Sequence, residues 1–194
     1  MSLKLKKILE LLERIRFNYL NSIMEFRAIK NFNSSISILD KKIGPFIIGN
    51  HYHLEFWIAK PFIEREILEP IEDNKIDLQL IQKYAFNESR SKELKKLPNN
   101  FYISVKEYLT ILAKQIKINE AYKKRFKDVY SNISDLLSIR ERKILNIVQL
   151  DNFLHYYQNL TYEEKVLIDN LDNDLKDWRK YFLEDLKKIY EQKS

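Results

Sequence analysis

The sequence predicts a mainly α-helical protein in which a small β-rich N-terminal domain is followed by an α-helical bundle domain. Apolar residues recur at helical spacing from about residue 54 to the end of the chain. Before that point, between residues 26 and 48, short apolar runs alternate with serines and turn residues. Both glycines of the 194-residue chain lie in the window 43–49, so we expect a sharp bend where the two patterns meet.

The first element is an amphipathic helix over residues 3–20. Its apolar residues are spaced three and four positions apart, with charges between them, and are Leu5, Ile8, Leu12, Ile15 and Tyr19. Short strands are expected next, because Ile36 and Ile38 alternate with serines. The polar stretches 31–34 and 40–42 flank them and are predicted to be turns.

Four or five helices are expected in the second part of the chain. The first begins near Leu54 and carries Trp57, which we expect to be buried as an anchor at the domain boundary. A second helix is predicted over 76–95. Pro98 suits the start of a third, since a proline lacks only an N–H group that would be unpaired there.

The remaining pattern predicts a long helix, or a broken pair of helices, over residues 119–150. A last helix begins with Asn159 or Thr161 as its N-cap, and Glu163 and Glu164 lie in its first turn, where the helix dipole favours acids. The predicted domains are therefore an N-terminal helix at 1–22, a β-rich domain at 23–52 and a helical domain at 53–194.

Composition narrows the function classes. The chain has 34 Lys and Arg against 28 Asp and Glu, a mild net charge of +6, and no cysteine, which excludes disulfides and cysteine-based metal sites. No run of about 18 apolar residues occurs, so we expect no membrane span. His51 and His53 would place two imidazoles on one side of an extended segment, but no third ligand stands at motif spacing. We therefore expect no metal, no cofactor and no catalytic site.

Lysine and arginine residues are concentrated in two segments of the sequence, and each segment has two possible roles. The first basic cluster contains Lys83, Arg90, Lys92, Lys95 and Lys96, and the second contains Lys114, Lys117, Lys123, Lys124, Arg125 and Lys127. Acids are interspersed in both, which favours solvated helix faces. The alternative is weak, sequence-independent contact with phosphates, for which Lys123, Lys124, Arg125 and Lys127 are the candidates.

One motif gives a resemblance to a known family. The run Ile43-Gly44-Pro45-Phe46 is followed after a short turn by Trp57-Ile58-Ala59. This resembles the GINS replication complex, in its Psf-two and Psf-three type, which a single subunit represents in archaea. In that family a small β-rich B domain carries (L/I)GPF shortly before (V/L)PLW(L/I)A, which opens the helical A domain. Glu55-Phe56 stand here where the family favours Pro-Leu.

Three more segments resemble the family in the same order. They are Leu97, Pro98, Phe101 and Tyr102; Asp128 with Arg140 and Lys143; and Leu160 and Thr161. The resemblance covers about Glu25 to Glu164, and the helix over residues 3–20 has no recognised counterpart.

The resemblance implies a non-catalytic scaffold subunit of an intracellular complex, in the cytoplasm or nucleoid of an archaeon or in a eukaryotic nucleus. It implies a heterotetramer with a second GINS subunit type, two copies of each. That complex bridges the MCM replicative helicase and a RecJ-like protein of the Cdc-forty-five type, and contacts primase or polymerase. The alternative function is a DNA- or RNA-binding regulator that uses the basic helix faces, and an enzyme is the least favoured class.

Overall fold

A computed structural model describes residues 3–39, 41–71, 75–150 and 153–191. The chain is 64% helical with a small β part, which confirms the predicted fold class. The elements in chain order are α1 (Leu3–Leu20), β1 (Ile23–Ala28), β2 (Ile36–Ile38), β3 (Lys41–Ile43), β4 (His51–Glu55), α2 (Phe56–Glu64), β5 (Leu68–Pro70), α3 (Leu78–Arg90), α4 (Phe101–Ile116), α5 (Ala121–Val148), a 3-10 helix (Phe153–Asn159) and α6 (Tyr162–Glu191). None of these described helices combines the length and the apolar character needed to cross a membrane.

The main sheet has three antiparallel strands in the order β4-β1-β5. Phe26 of β1 is paired with Tyr52 of β4, and Arg27 is paired with Glu69 of β5. The predicted boundary at 52/53 therefore falls inside β4, and β5 joins the sheet from the part assigned to the helical domain. The β-rich part extends beyond residues 23–52, because β1 pairs with β4 on one side and with β5 on the other.

A separate two-stranded hairpin is formed by β2 and β3, which pair from Ile36 with Ile43 to Ile38 with Lys41. The hairpin corrects the prediction of a turn over residues 40–42, since Lys41 and Lys42 belong to β3; Asp40 lies outside the described residues.

One apolar core joins the sheet to the helices. In β1, Phe26 and Ala28 are buried while Arg27 between them is exposed, as alternation on a half-buried strand requires. The buried members of this core come from α1, the sheet, the hairpin and the loop after it, α2 and α4: Tyr19, Phe26, Ala28, Ile43, Phe46, Phe56, Ile58, Ala59, Phe62, Leu68, Ile103 and Ile111. The strands and the bundle thus share side-chain packing.

The expectation that Trp57 is buried is wrong. Its side chain is 39% exposed, whereas α2 buries Phe56, Ile58, Ala59 and Phe62. At about 100° per residue, those four positions share one side of the helix and Trp57 projects from the opposite side. Which side chains of α2 are buried therefore depends on the direction in which each residue points around the helix axis, and Trp57, the second residue of the helix, points away from the core.

The helical part differs from the prediction at its boundaries. The long segment is one continuous helix, α5, rather than a broken pair. The helix predicted over 76–95 is α3, which ends at Arg90. Pro98 precedes α4 by three residues instead of occupying its first position, and Asn100 is the N-cap residue. A second core joins α3, α4 and α5, with Ile81, Leu97, Phe101, Val105, Leu112, Val129, Ile133 and Leu136 buried in it.

The first half of α6 is embedded in the protein. Ile168 is buried in a third core that also contains Leu94, Ile144, Ile147, Val148 and Leu160. Helix α6 has 30 residues and is therefore about 45 Å long. Residues 176–184, which we call the α6 overhang, carry large exposed apolar side chains: Trp178 (63%), Tyr181 (79%), Phe182 (51%) and Leu183 (62%).

Candidate functional site

Several residues of the family-like motifs meet around the guanidinium group of Arg140. Arg140 is buried on α5 and donates to Glu164 of α6 through Nε to Oε1 at 2.5 Å and through Nη2 to Oε2 at 2.7 Å. Its Nη1 donates to Glu88 Oε2 of α3 at 2.8 Å and to the Lys95 carbonyl at 2.7 Å. We call Glu88, Tyr102, Arg140, Lys143, Thr161 and Glu164 the Arg140 cluster.

The second cation of the cluster is Lys143. Its Nζ donates to Glu88 Oε1 at 2.5 Å and to the carbonyls of Glu88 and Glu93 at 2.8 and 3.0 Å. Burial lowers the pKa of Arg140, but hydrogen bonds to Glu164 and the charge of that carboxylate outweigh burial and hold the pKa above its ordinary value. Two carboxylates and two cations therefore neutralise each other where an unpaired charge would be costly.

The start of α6 is part of the same cluster. Thr161 Oγ1 accepts from the Glu164 N–H at 3.2 Å, and Glu164 Oε2 accepts from the Thr161 N–H at 2.9 Å. This reciprocal pair is a capping box and makes Thr161, not Asn159, the N-cap residue. Tyr102 donates its hydroxyl to Glu164 Oε1 at 2.8 Å, and burial raises the pKa of that hydroxyl.

The other motif residues of the helical part take up different places. Leu97 and Phe101 lie in the second core and Leu160 in the third, while the Pro98 carbonyl accepts from the Phe101 N–H at 3.1 Å. Asp128 is not part of the cluster: it lies on α5 twelve residues before Arg140, about 18 Å away along the helix. The cluster unites three of the four motif segments and leaves Asp128 outside.

The domain-boundary motif is also a packing unit. Gly44 has φ of +85°, and a Cβ atom there would lie 2.7 Å from the Ser34 carbonyl oxygen, so the position needs glycine. The ring of Phe46 contacts Tyr52 and Phe62 at centroid distances of 4.9 and 4.8 Å. Ile43 and Ala59 are buried in the same core. These residues act through packing.

A further buried carboxylate outside the Arg140 cluster, Glu107 of α4, is not among the predicted site residues. It accepts from Arg16 Nε of α1 at 2.7 Å and from Lys60 Nζ of α2. Burial raises the pKa of Glu107, but the hydrogen bonds and charges of Lys60 and Arg16 outweigh burial and lower it below the ordinary value. The sequence did hold a signal, because Glu107 interrupts an i, i+4 line of buried residues between Ile103 and Ile111.

The predicted basic candidates lie at the surface. Lys123, Lys124, Arg125 and Lys127 are all exposed on the first turns of α5. Lys123 pairs with Glu120 at 2.8 Å, and the guanidinium carbon of Arg125 lies 5.6 Å from the centroid of the Tyr108 ring. The exposed side chains of Lys124 and Lys127 can approach phosphates, but the four residues do not form a shaped site.

The histidine pair is not assembled into a metal site. His51 Nδ1 lies 2.7 Å from Glu25 Oε1 on the neighbouring strand. Within the part of the chain that the structure describes, no group of three or more His, Cys, Asp or Glu side chains is arranged to hold a metal ion.

An apolar groove of about 620 Å³ runs between α1, α4, α5 and the first half of α6. Its apolar lining includes Ile8, Leu12, Leu109, Tyr130, Leu137, Val166 and Leu167. Glu163 also lines the groove: Oε1 accepts from the Ile103 N–H at 2.9 Å, whereas the buried Oε2 has no hydrogen-bond partner among the described residues. Burial raises the pKa of this carboxyl.

Comparison of the sequence with protein-family models and with curated proteins finds no match.

Proposed function

We propose that this chain is a non-catalytic scaffold subunit of a GINS-type complex. In that role it would bridge the MCM helicase with a RecJ-like protein and with primase or polymerase. The observation that carries the proposal is the convergence of Tyr102, Arg140, Lys143 and Thr161 on one buried network. These residues come from three motif segments that resemble the family, and Thr161 is also an N-cap candidate on local grounds. If the motif matches had arisen by chance, their residues would not be expected to lie in contact in the folded chain.

The composition of the Arg140 cluster supports a structural role for the motifs. The guanidinium donates to Glu88, Glu164 and the carbonyls of Lys95 and Asn159, so its donors are occupied within the protein. A saturated network of this kind fixes the relative positions of α3, α5 and α6. Fixed helix positions are what a scaffold subunit needs in order to present its surfaces to several partners at once.

The exposed apolar surface supports assembly. The α6 overhang presents three aromatic rings and a leucine, and the first half of α6 lines an apolar groove. Exposed apolar surface on this scale is typical of proteins that bind other proteins. We infer that the partners include a second GINS subunit type, and that the complex is intracellular.

The test is affinity purification of the full-length chain from its native organism, followed by quantitative mass spectrometry. The expected result is co-enrichment of a second GINS subunit type with MCM and the RecJ-like protein, in amounts comparable to the bait. An empty-tag purification is the control. Recovery of the folded bait without a GINS subunit or MCM would overturn the proposal.

The alternative, nucleic-acid binding, is favoured by one observation, the exposed ammonium groups of Lys123, Lys124 and Lys127. Binding to duplex and single-stranded DNA would be measured between 50 and 200 mM salt, a range over which a protein with 6–10 phosphate contacts loses roughly 10³–10⁵ in affinity. A steep salt dependence that is reduced when all three lysines are replaced by glutamine would support the regulator. A scaffold is expected to bind weakly, with a shallow dependence.

A further inference from the structure

The two basic clusters differ in how far their charges are neutralised. In the second cluster, Lys114 pairs with Glu64 at 2.7 Å and Lys123 pairs with Glu120 at 2.8 Å. In the first cluster, no member forms an ion pair with an acid of the described residues, and every member is exposed: Lys83, Arg90, Lys92, Lys95 and Lys96. The first cluster therefore keeps its positive charge at the surface.

An acid that interrupts the first cluster in the sequence is absent from its surface. Glu88 is fully buried and accepts from Arg140 and Lys143 inside the Arg140 cluster. The sequence pattern of interspersed acids therefore does not describe the surface. Burial of Glu88 separates this segment from an ordinary helix face on which opposite charges alternate.

Four of the five cations line one concavity at the end of α3. Its volume is about 640 Å³, and the four are Arg90, Lys92, Lys95 and Lys96. Glu93 lines it as well, so the concavity carries a clear excess of positive charge. A concave surface with one sign of charge attracts and concentrates anions.

The irregular segment that follows α3 has a fixed main chain. Leu94 is buried in the third core. The carbonyl of Lys95 accepts from Arg140 at 2.7 Å, and the carbonyl of Glu93 accepts from Lys143 at 3.0 Å. The lysine side chains of this segment thus extend from a main chain that is already in place, which reduces the entropy lost when an anion binds.

An exposed aromatic ring lies beside these cations. Phe86 is 54% exposed, and the guanidinium carbon of Arg90 lies 4.2 Å from the centroid of its ring. Lys83, Phe86, Asn87 and Arg90 follow the spacing i, i+3, i+4, i+7, so they share one side of α3, opposite the buried Ile81. One continuous surface therefore combines unpaired cations with an aromatic ring.

We propose that this surface, formed by the exposed side of α3 over residues 83–90 and by the segment 91–96, binds single-stranded nucleic acid. We call it the α3 cradle. The cations contact successive phosphates, and a base stacks on Phe86. A single strand is the partner because its bases are free to reach the ring, whereas those of a duplex are stacked and paired within the double helix.

The α3 cradle is separate from the functions proposed above. It is independent of membership in a GINS-type complex, and it does not include Lys123, Lys124 or Lys127. Success or failure of the purification experiment therefore leaves this proposal to be decided by its own test.

The primary experiment is fluorescence anisotropy of a labelled oligothymidine of about 12 nucleotides, titrated with the full-length chain. If each of the five cations neutralises one phosphate, log K should fall with log salt concentration with a slope of about −3.5. The affinity then falls roughly 100-fold between 50 and 200 mM salt, less than the loss expected for 6–10 contacts.

The cations are tested by replacing Lys92, Lys95 and Lys96 together with glutamine. Loss of three phosphate contacts should weaken binding about 100-fold at about 0.1 M salt and reduce the salt slope by about 2. The matched control replaces Lys123, Lys124 and Lys127 with glutamine, which removes the same charge from another part of the surface. Its affinity should stay within about twofold of wild type, because salt screens distant charges.

Phe86→Leu tests the ring separately from the charges. It keeps an apolar side chain of similar size and removes the stacking surface, so binding should weaken about tenfold. The salt slope should stay unchanged, since no cation is lost. Circular dichroism of each variant should match wild type, because all the substituted side chains are exposed.

Ultraviolet cross-linking of the oligothymidine, followed by mass spectrometry, should modify residues within 83–96. The proposal is overturned if the oligonucleotide does not bind, if the lysine variant of the α3 cradle binds as tightly as wild type, or if the cross-links map to residues 123–127. Equal or tighter binding of a duplex or of polyglutamate of the same length would also overturn it, the latter by identifying the partner as an acidic protein segment.

Discussion

Arg140 and Glu164 are 24 positions apart in the sequence and joined by two hydrogen bonds, at 2.5 and 2.7 Å. The same carboxylate also closes the capping box with Thr161 at the start of α6. One side chain therefore both neutralises the buried guanidinium and caps the helix that follows. This double use ties the position of α6 to that of α5.

We expect Arg140→Met to destabilise the protein by about 3–5 kcal/mol, because Glu88 and Glu164 would remain buried without their shared cation. Urea unfolding monitored by circular dichroism measures the change. Arg142→Ala is the control: Arg142 is exposed two residues further along α5, and its loss should cost no more than about 0.5 kcal/mol. Similar losses for both variants would contradict the assignment.

Glu107 predicts a pH dependence of stability. Its folded-state pKa is below the ordinary value of 4.5, so its contribution is fully present above about pH 4.5 and is lost as pH falls through the folded-state pKa. We expect Glu107→Gln to cost about 2 kcal/mol at neutral pH. The difference in unfolding free energy between wild type and variant should shrink on acidification. A difference that grew in acid would show that the pKa is raised.

The two glycines give a matched pair of variants. Both have positive φ, +85° at Gly44 and +86° at Gly49, but an added Cβ meets the Ser34 carbonyl at 2.7 Å only at Gly44 and nothing within 4 Å at Gly49. Gly49→Ala should therefore cost about 1 kcal/mol for backbone strain alone. Gly44→Ala should cost clearly more, about 2–4 kcal/mol. Equal unfolding free energies for the two variants would show that the close approach to Ser34 is relieved cheaply.

The exposure of Trp57 predicts a mild effect for its removal. Trp57→Ala should cost about 1–2 kcal/mol, because its side chain is 39% exposed, whereas Phe56→Ala, one residue earlier and buried in the first core, should cost about 3–5 kcal/mol. Thermal unfolding distinguishes the two. A large loss on truncating Trp57, with Phe56 tolerated, would reverse the phase of α2 described above.

Local chemistry explains what the sequence could predict. The N-cap at Thr161 follows from side chains within three residues, and the stripe of α4 follows from helical periodicity through Phe101, Val105 and Leu112. The fold class rests on such signals, which need no knowledge of distant partners.

Partners far apart in the sequence explain what was missed. Glu88 meets Arg140 across 52 positions and Glu107 meets Arg16 across 91. The local sequence can indicate that Glu107 is buried, but it does not identify the partner of either carboxylate. Strand β5 is only three residues long and ends in a proline, which gives no alternation to detect. Residue type alone does not predict the exposure of Trp57, because the phase of α2 places this side chain opposite the buried residues.

The direct passage from β4 into α2 has a mechanical consequence. Strand β4 ends at Glu55 and α2 begins at Phe56, while Lys60 on α2 is held by Glu107 of α4. No loop separates the strand from the helix, and the sheet and the bundle share one apolar core. A torque applied to the three-stranded sheet is therefore transmitted through α2 to the bundle. A partner that binds one part would also change the orientation of the other.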